Sequence, residues 1–153
     1  MQLEFSGAPE IAAGRAEVWR RLLDPAFVAR SAPGVESVEA ADPSHFKVVV
    51  ALGVGMLKLR FTMQVELDDL VEPESARLRA RGKAPGSTVD ATTSFKLEAL
   101  GPDRTKLNWD AVTEIGGTVA SVGARLLEGT ARKLTEEFWR DFAALVAEEK
   151  GKG

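Results

Sequence analysis

Along most of the chain apolar and polar residues alternate one by one, and towards the C-terminus this period gives way to spacings of three and four. The clearest alternation runs from Leu57 to Leu67, where Leu57, Leu59, Phe61, Met63, Val65 and Leu67 interleave with Lys58, Arg60, Thr62, Gln64 and Glu66. Successive side chains of a strand point to opposite faces, so this segment is predicted to be a strand with one dry and one wet face. Two further segments repeat the pattern with smaller dry-face residues. Ala76, Leu78, Ala80 and Gly82 lie between Arg77, Arg79, Arg81 and Lys83, and Val89, Ala91, Thr93, Phe95 and Leu97 between Asp90, Thr92, Ser94 and Lys96. After the turn Gly101-Pro102-Asp103, a last strand sets Thr105, Leu107, Trp109, Ala111 and Thr113 against Arg104, Lys106, Asn108 and Asp110. Weaker alternation predicts strands at Gln2 to Ala8, Val35 to Ala40 and His45 to Leu52, the last two joined at Asp42-Pro43-Ser44 and followed by the turn Gly53-Val54-Gly55. The total is about seven strands.

Helical spacing appears in two places. Val18, Leu22 and Leu23, with Trp19 beside them, predict a short helix over Ala13 to Leu23. Asp24-Pro25 then supplies a capping carboxylate and a first-turn proline for a second, which Pro33-Gly34 ends. Gly116-Gly117-Thr118 is predicted to open a long helix to Ala147, its apolar stripe being Val119, Val122, Leu126, Leu127, Leu134, Phe138, Phe142 and Leu145. At ~1.5 Å per residue such a rod is roughly 45 Å long and needs a broad surface to cover. This order segregates helix from sheet and predicts an α+β fold: a curved antiparallel sheet, two short helices, and one long C-terminal helix across the dry face. Residues 1–148 are expected to form one domain, with 149–153 a frayed tail.

The dry face is short of volume. Ala76, Ala80, Gly82, Ala91, Thr93, Ala111 and Thr113 meet a helix whose start is also small, at Gly117, Ala120 and Gly123. Small residues facing small residues either let the helix approach closely or leave a pocket. For a pocket, the candidate ligand contacts are Phe61, Met63, Leu78, Ala80, Ala91, Thr93, Phe95, Trp109, Ala111 and Thr113 from the strands, with Val119, Val122, Gly123, Leu126 and Leu127 from the helix. Thr93, Thr105 and Thr113 could each offer one hydrogen bond to a ligand carbonyl or hydroxyl, or satisfy backbone instead.

The chemistry-bearing residues narrow the function. The chain of 153 residues contains no cysteine, which excludes disulfides, thiolate nucleophiles and cysteine-ligated metals. His45 is the single histidine and sits beside a turn, so neither a catalytic triad nor a histidine metal site is expected. The strand carboxylates Glu66, Asp68, Asp69, Asp90, Glu98, Asp110 and Glu114 fall on the wet phase or in turns, away from any desolvated cleft. No catalytic and no metal-binding residue is nominated, and the protein is expected not to be an enzyme. A net charge of −3 gives no footprint for nucleic acid, and the arginine row at every second residue reads as the solvated face of a strand. With neither a signal peptide nor an apolar run of ~20 residues, the expected location is cytoplasmic.

The order of landmarks resembles the carbon monoxide dehydrogenase CoxG family of the START-like, or SRPBCC, superfamily. They are Phe5-Ser6-Gly7, Val18-Trp19 to Leu23-Asp24-Pro25, Ala32-Pro33-Gly34-Val35, Gly53-Val54-Gly55, Thr105-Lys106-Leu107-Asn108-Trp109 and Gly116-Gly117 to Gly123-Ala124-Arg125-Leu126. The resemblance implies a helix-grip fold around a hydrophobic cavity, and it places Phe27, Val28, Pro33, Val54 and Met56 at the rim of one mouth. It implies an accessory protein that binds an apolar ligand, a lipid or a quinone, and couples a molybdenum hydroxylase of the carbon monoxide dehydrogenase type to the inner face of the membrane. No other cofactor is implied. The chain departs from family members with a long apolar C-terminal extension by stopping at Lys150-Gly151-Lys152-Gly153. Two other functions remain on this fold: a cyclase- or aromatase-like enzyme, and a protein-interaction module without a ligand.

Overall fold

The alternation is realised in a computed structural model that describes residues 1–42 and 44–152. Its strands are β1 (Gln2–Gly7), β2 (Glu10–Ile11), β3 (Val35–Asp42), β4 (His45–Val54), β5 (Leu57–Val71), β6 (Ser75–Ala84), β7 (Ser87–Gly101) and β8 (Arg104–Gly117). Its helices are α1 (Arg15–Leu22), α2 (Pro25–Ser31) and α3 (Ala124–Lys152), with a 3-10 turn at Thr118–Val122. All pairing is antiparallel, in the order β1-β8-β7-β6-β5-β4-β3, with β2 also on β8. Pro43 of the predicted turn and Gly153 of the predicted tail lie outside the described residues.

Two-residue periodicity identified the long strands because one face of each is buried against the helix layer. On β8, Thr105, Leu107, Trp109 and Ile115 are buried while Asp110 and Glu114 are exposed. β2 was missed, since two residues cannot show a period. The arginine row lies on the open face, where register sets Arg77 opposite Asp68, Arg79 opposite Glu66 and Arg81 opposite Asp90. Arg77 grips Asp68 with Nε at 2.8 Å and Nη2 at 3.2 Å, which holds that carboxyl below its ordinary 3.8. Exposed pairs of this kind contribute ~0–1 kcal/mol each, so they set register more than stability.

The helices differ from the sequence reading at their ends. α1 begins at Arg15 rather than Ala13, because the preceding residues are spent on β2 and Ala13 N–H donates to the Ile11 carbonyl at 2.9 Å. α2 starts as expected, the Asp24 carboxylate accepting from the N–H groups of Ala26 and Phe27. The predicted start of the long helix at Gly116-Gly117-Thr118 is displaced to Ala124. Gly117 is still in β8 with φ +83°, and a Cβ there would lie 2.0 Å from the Gly86 carbonyl oxygen. Val119 N–H then donates to Ser87 Oγ, and Gly123, at φ +101°, turns the chain again before a helix can propagate. At the other end α3 continues to Lys152, past Ala147 where the sequence reading ended the helix.

α3 is held at two places. Near its C-terminal end Phe142 and Val146, both 0% exposed, enter a core with Ile11, Val18, Trp19, Phe27, Leu97 and Leu107. Near its start Leu127 joins a separate core of Leu3, Val54, Phe61, Ile115 and Val119. Thr105 lies in the first region, fully buried, its hydroxyl donating to the Ala13 carbonyl at 2.8 Å. It therefore ties β8 to the entry of α1, the backbone-satisfying one of the two roles the sequence left open for it. Replacing Thr105 by Val leaves that buried carbonyl without its donor, so denaturant unfolding of Thr105→Val should show a loss of about 1–3 kcal/mol.

Candidate functional site

Between the two cores the helix and sheet do not meet. The space is an apolar cavity of 360 Å³ whose floor is Phe5, Leu67, Leu78, Ala91, Thr93, Phe95, Trp109, Ala111 and Thr113 from the sheet. Its walls are Leu22, Val28, Ala32 and Pro33 from α1, α2 and the segment after them, and its roof is Ala131, Leu134, Thr135, Phe138 and Trp139 on α3. A second apolar lobe of 240 Å³, lined by Val50, Leu52, Phe61, Met63 and Val89, shares Pro33 and Leu134 with the first. Those two side chains are the common wall of the lobes. Met63 reaches over Gly82, where a Cβ would come within 2.1 Å of its sulfur, so the glycine makes room for that thioether.

The polar groups of this lining are the hydroxyls of Thr93, Thr113 and Thr135 and the indole N–H groups of Trp109 and Trp139. Thr135 is spoken for, its hydroxyl donating to the Ala131 carbonyl at 2.7 Å. Trp109 Nε1 is buried without a hydrogen-bond partner, its edge lying over Gly7, where a Cβ would stand 2.8 Å away. Aromatic rings crowd the same end: Trp109 to Trp139 is 6.0 Å between centroids, Phe138 to Trp139 4.7 Å and Phe27 to Phe142 5.7 Å. Along the described lining no side chain titrates. Carriage of an apolar or flat aromatic molecule is what such walls are able to do; a cluster of His, Asp or Glu able to hold a metal ion does not occur among the described residues.

Of the residues nominated from the sequence, Val28, Pro33, Phe61, Met63, Leu78, Ala91, Thr93, Phe95, Trp109, Ala111 and Thr113 are brought together on these two walls. The others are not. Phe27 is buried edge-on against Phe142, and Ala80 is buried without reaching either lobe. Val54, Val119 and Leu127 fill the core at the start of α3, with Val122 packed against them. Gly123 is the turn before α3, Leu126 is 42% exposed, and Met56 at the tip of the β4–β5 hairpin is fully exposed. One cause covers the helix residues: with α3 beginning at Ala124, its first turn closes the core and only its third and later turns roof the cavity. Ala131, Leu134, Thr135 and Phe138, spaced three, one and three apart, form one helical face, a signal that was available in the sequence.

His45 is not part of this lining; it is exposed at the first residue of β4, with Nδ1 3.0 Å from Asp42 and Nε2 3.6 Å from Glu66. The Asp42 carboxylate, and more weakly that of Glu66, holds its pKa above the ordinary 6.5. A raised folded-state pKa means the interaction stabilises fully below 6.5 and is lost as pH climbs through the folded value.

A helix laid across a curved antiparallel sheet over an apolar hollow defines a helix-grip, START-like domain. The solved structures similar to this chain agree. A conserved protein from Geobacillus kaustophilus superposes with a TM-score of 0.88 at 26% identity, over 95% of this chain and 96% of that one. A START superfamily protein from Mycobacterium smegmatis gives 0.73 at 16% identity, over 95% and 97%. The ZhuI aromatase/cyclase from Streptomyces sp. R1128 gives 0.72 at 17%, over 96% and 94%. The last two identities show the fold alone. The carbon monoxide dehydrogenase CoxG family matches residues 7–147, and the chain belongs to it. No curated protein matches the sequence significantly.

The His45 geometry is open to a direct check. An NMR titration of its ring should give a midpoint above 6.5, and Asp42→Asn should bring it down towards that value; a wild-type midpoint at or below it would contradict the pairing.

Proposed function

We propose that this protein holds an apolar small molecule, a lipid or a quinone, in the cavity between sheet and α3, as a non-catalytic accessory to a molybdenum hydroxylase of the carbon monoxide dehydrogenase type. The observation that carries the proposal is the pair of adjoining apolar lobes, of 360 and 240 Å³, beneath one helix. Small-molecule sites are concave, mostly hydrophobic and supplied with a few polar groups that set orientation, and this lining has that make-up. The family description supports the accessory role and its partner enzyme. Coupling at the inner face of the membrane suits a carrier whose cargo dissolves there; no helix among the described residues is long and apolar enough to cross a bilayer.

Catalysis on the same fold is a weaker reading. Acid–base work needs a titratable group in a desolvated cleft. The described cavity lining offers threonines and two indoles instead, which favours carriage over cyclisation.

Ala91 tests the proposal. It lines the cavity on β7 between Ala80 and Thr113, so Ala91→Phe projects a ring into free space. Extraction of the purified protein into organic solvent, followed by mass spectrometry, should recover an apolar molecule from the wild type. The folded variant should bind an added naphthoquinone about tenfold or more weakly. Empty wild-type extracts, together with no binding of added quinone, would overturn the proposal.

A further inference from the structure

The sheet ends in β3 on one side and β1 on the other. An edge strand presents unpaired backbone groups, which template the addition of another strand unless something guards them. β3 is guarded. Its register with β4 shifts twice, between Val35 and Ser37 and between Ala40 and Asp42, and its carboxylates Glu36, Glu39 and Asp42 are engaged by Arg60, Lys47 and His45. β1 has no bulge, proline or lysine, and runs in unbroken register from Gln2 opposite Glu114 to Gly7 opposite Trp109.

The hydrogen-bond phase of β1 fixes which of its groups are free. Met1 and Ile115 exchange two bonds, the Met1 nitrogen donating at 2.9 Å and the Ile115 N–H at 2.7 Å. Bonded and non-bonded pairs alternate along an antiparallel ladder, so it is Leu3, Phe5 and Gly7 that bond to β8. Past the end of the strand the Leu107 N–H donates to the Pro9 carbonyl at 2.9 Å, in the same phase. The backbone groups of Gln2, Glu4 and Ser6 therefore point away from the sheet, and among the described residues no second strand pairs with them.

The side chains along this edge carry one sign of charge. Gln2, Glu4 and Ser6 share the open face with Asp110 and Glu114, their neighbours on β8, and all five are exposed. The three carboxylates have no ion pair among the described residues, and the two stretches that build this margin, 1–14 and 107–124, contain no lysine or arginine. On the inner phase Leu3 is buried and Phe5 half-buried. A residue added opposite Glu4 would have its Cβ about 5 Å from that of Glu4, close enough for a cation to pair with it.

We propose that β1 is a docking edge for an extended segment of a partner protein in which cationic and apolar residues alternate. Such a segment adds as a further strand: its backbone bonds to Gln2, Glu4 and Ser6, its cations meet Glu4, Asp110 and Glu114, and its apolar residues lie beside Leu3 and Phe5. A second copy of this chain fits less well, because β1 laid antiparallel on itself brings the carboxylates of both margins together. Phe5 belongs to the cavity floor, so the bound segment would flank the cavity. The edge itself stands on hydrogen-bond phase and charge, and holds whether or not the cavity carries a cargo.

The test takes the whole chain and two short synthetic peptides, one alternating lysine with valine and the other glutamate with valine. The lysine peptide should bind, more weakly as salt rises, and should slow hydrogen exchange at the Glu4 and Ser6 amides. Its glutamate counterpart should bind about tenfold or more weakly, since like charges repel across strands. Ser6→Pro removes an outward N–H and leaves the β8 ladder its bonds, a place where an edge strand tolerates proline; it should weaken the lysine peptide about tenfold. Glu4→Gln and Glu114→Gln should each weaken it about threefold, the weight of one exposed ion pair, and Glu136→Gln on α3 should change nothing. Unchanged melting curves separate these losses from loss of fold. Unprotected Glu4 and Ser6 amides at saturating lysine peptide, equal binding of the two peptides, or a wild-type dimer that Ser6→Pro takes apart would each overturn the proposal, the last by giving the edge to a second copy.

Discussion

Most of this structure follows from a stiff helix being pinned at both ends against a curved sheet. α3 is roughly 43 Å long at ~1.5 Å per residue and cannot bend into the hollow it spans. Phe142 and Val146 anchor one end and Leu127 the other, each in its own core. Between them, contact would require long side chains from the sheet, and the floor there presents Ala91, Ala111, Thr93 and Thr113. Native interiors are close-packed, and a stretch left this thin leaves room for something other than the chain.

The division of labour along α3 explains the rest of the site. Its first turns close a core with the 3-10 segment, its middle turns roof the cavity with Leu134 and Phe138, and its last turns pack on α2 and β2. Pro33, arriving from α2, faces Leu134 across the boundary of the two lobes and so makes one elongated space into two adjoining ones. Trp109 stands at the crowded aromatic end with its N–H unspent, a cost of ~1–3 kcal/mol for a buried donor that the fold tolerates at this wall.

Charge takes no part in that interior. It is spent on the open face of the sheet, where the arginines of β6 meet the carboxylates of β5 and β7, and on the hairpin ends, where acids collect at one end and are absent from the tip at the other. The dry hollow and the charged outside are thus separate features of one sheet: its inner phase offers volume and its outer phase carries the ion pairs.

The sequence by itself determined the sheet, the number and order of the helices, the family and the small-residue floor. These depend on local periods, caps and turns, and each is written in consecutive residues such as Leu57 to Leu67 or Asp24-Pro25. The nominated strand contacts, Ala80 apart, share the cavity walls because strand phase alone decides whether Ala91 or Asp90 faces inward. Only the tertiary structure decided which part of α3 lies over them. That depends on where Gly117 and Gly123 turn the chain, and at Gly117 and Val119 the turn is fixed by the Gly86 carbonyl and the Ser87 hydroxyl, some thirty positions away. Periodicity reports which face of a helix is apolar; its position along the axis is set by contacts between segments remote in sequence, and so Leu126 and Met56 went to the surface and Leu134 and Phe138 to the cavity.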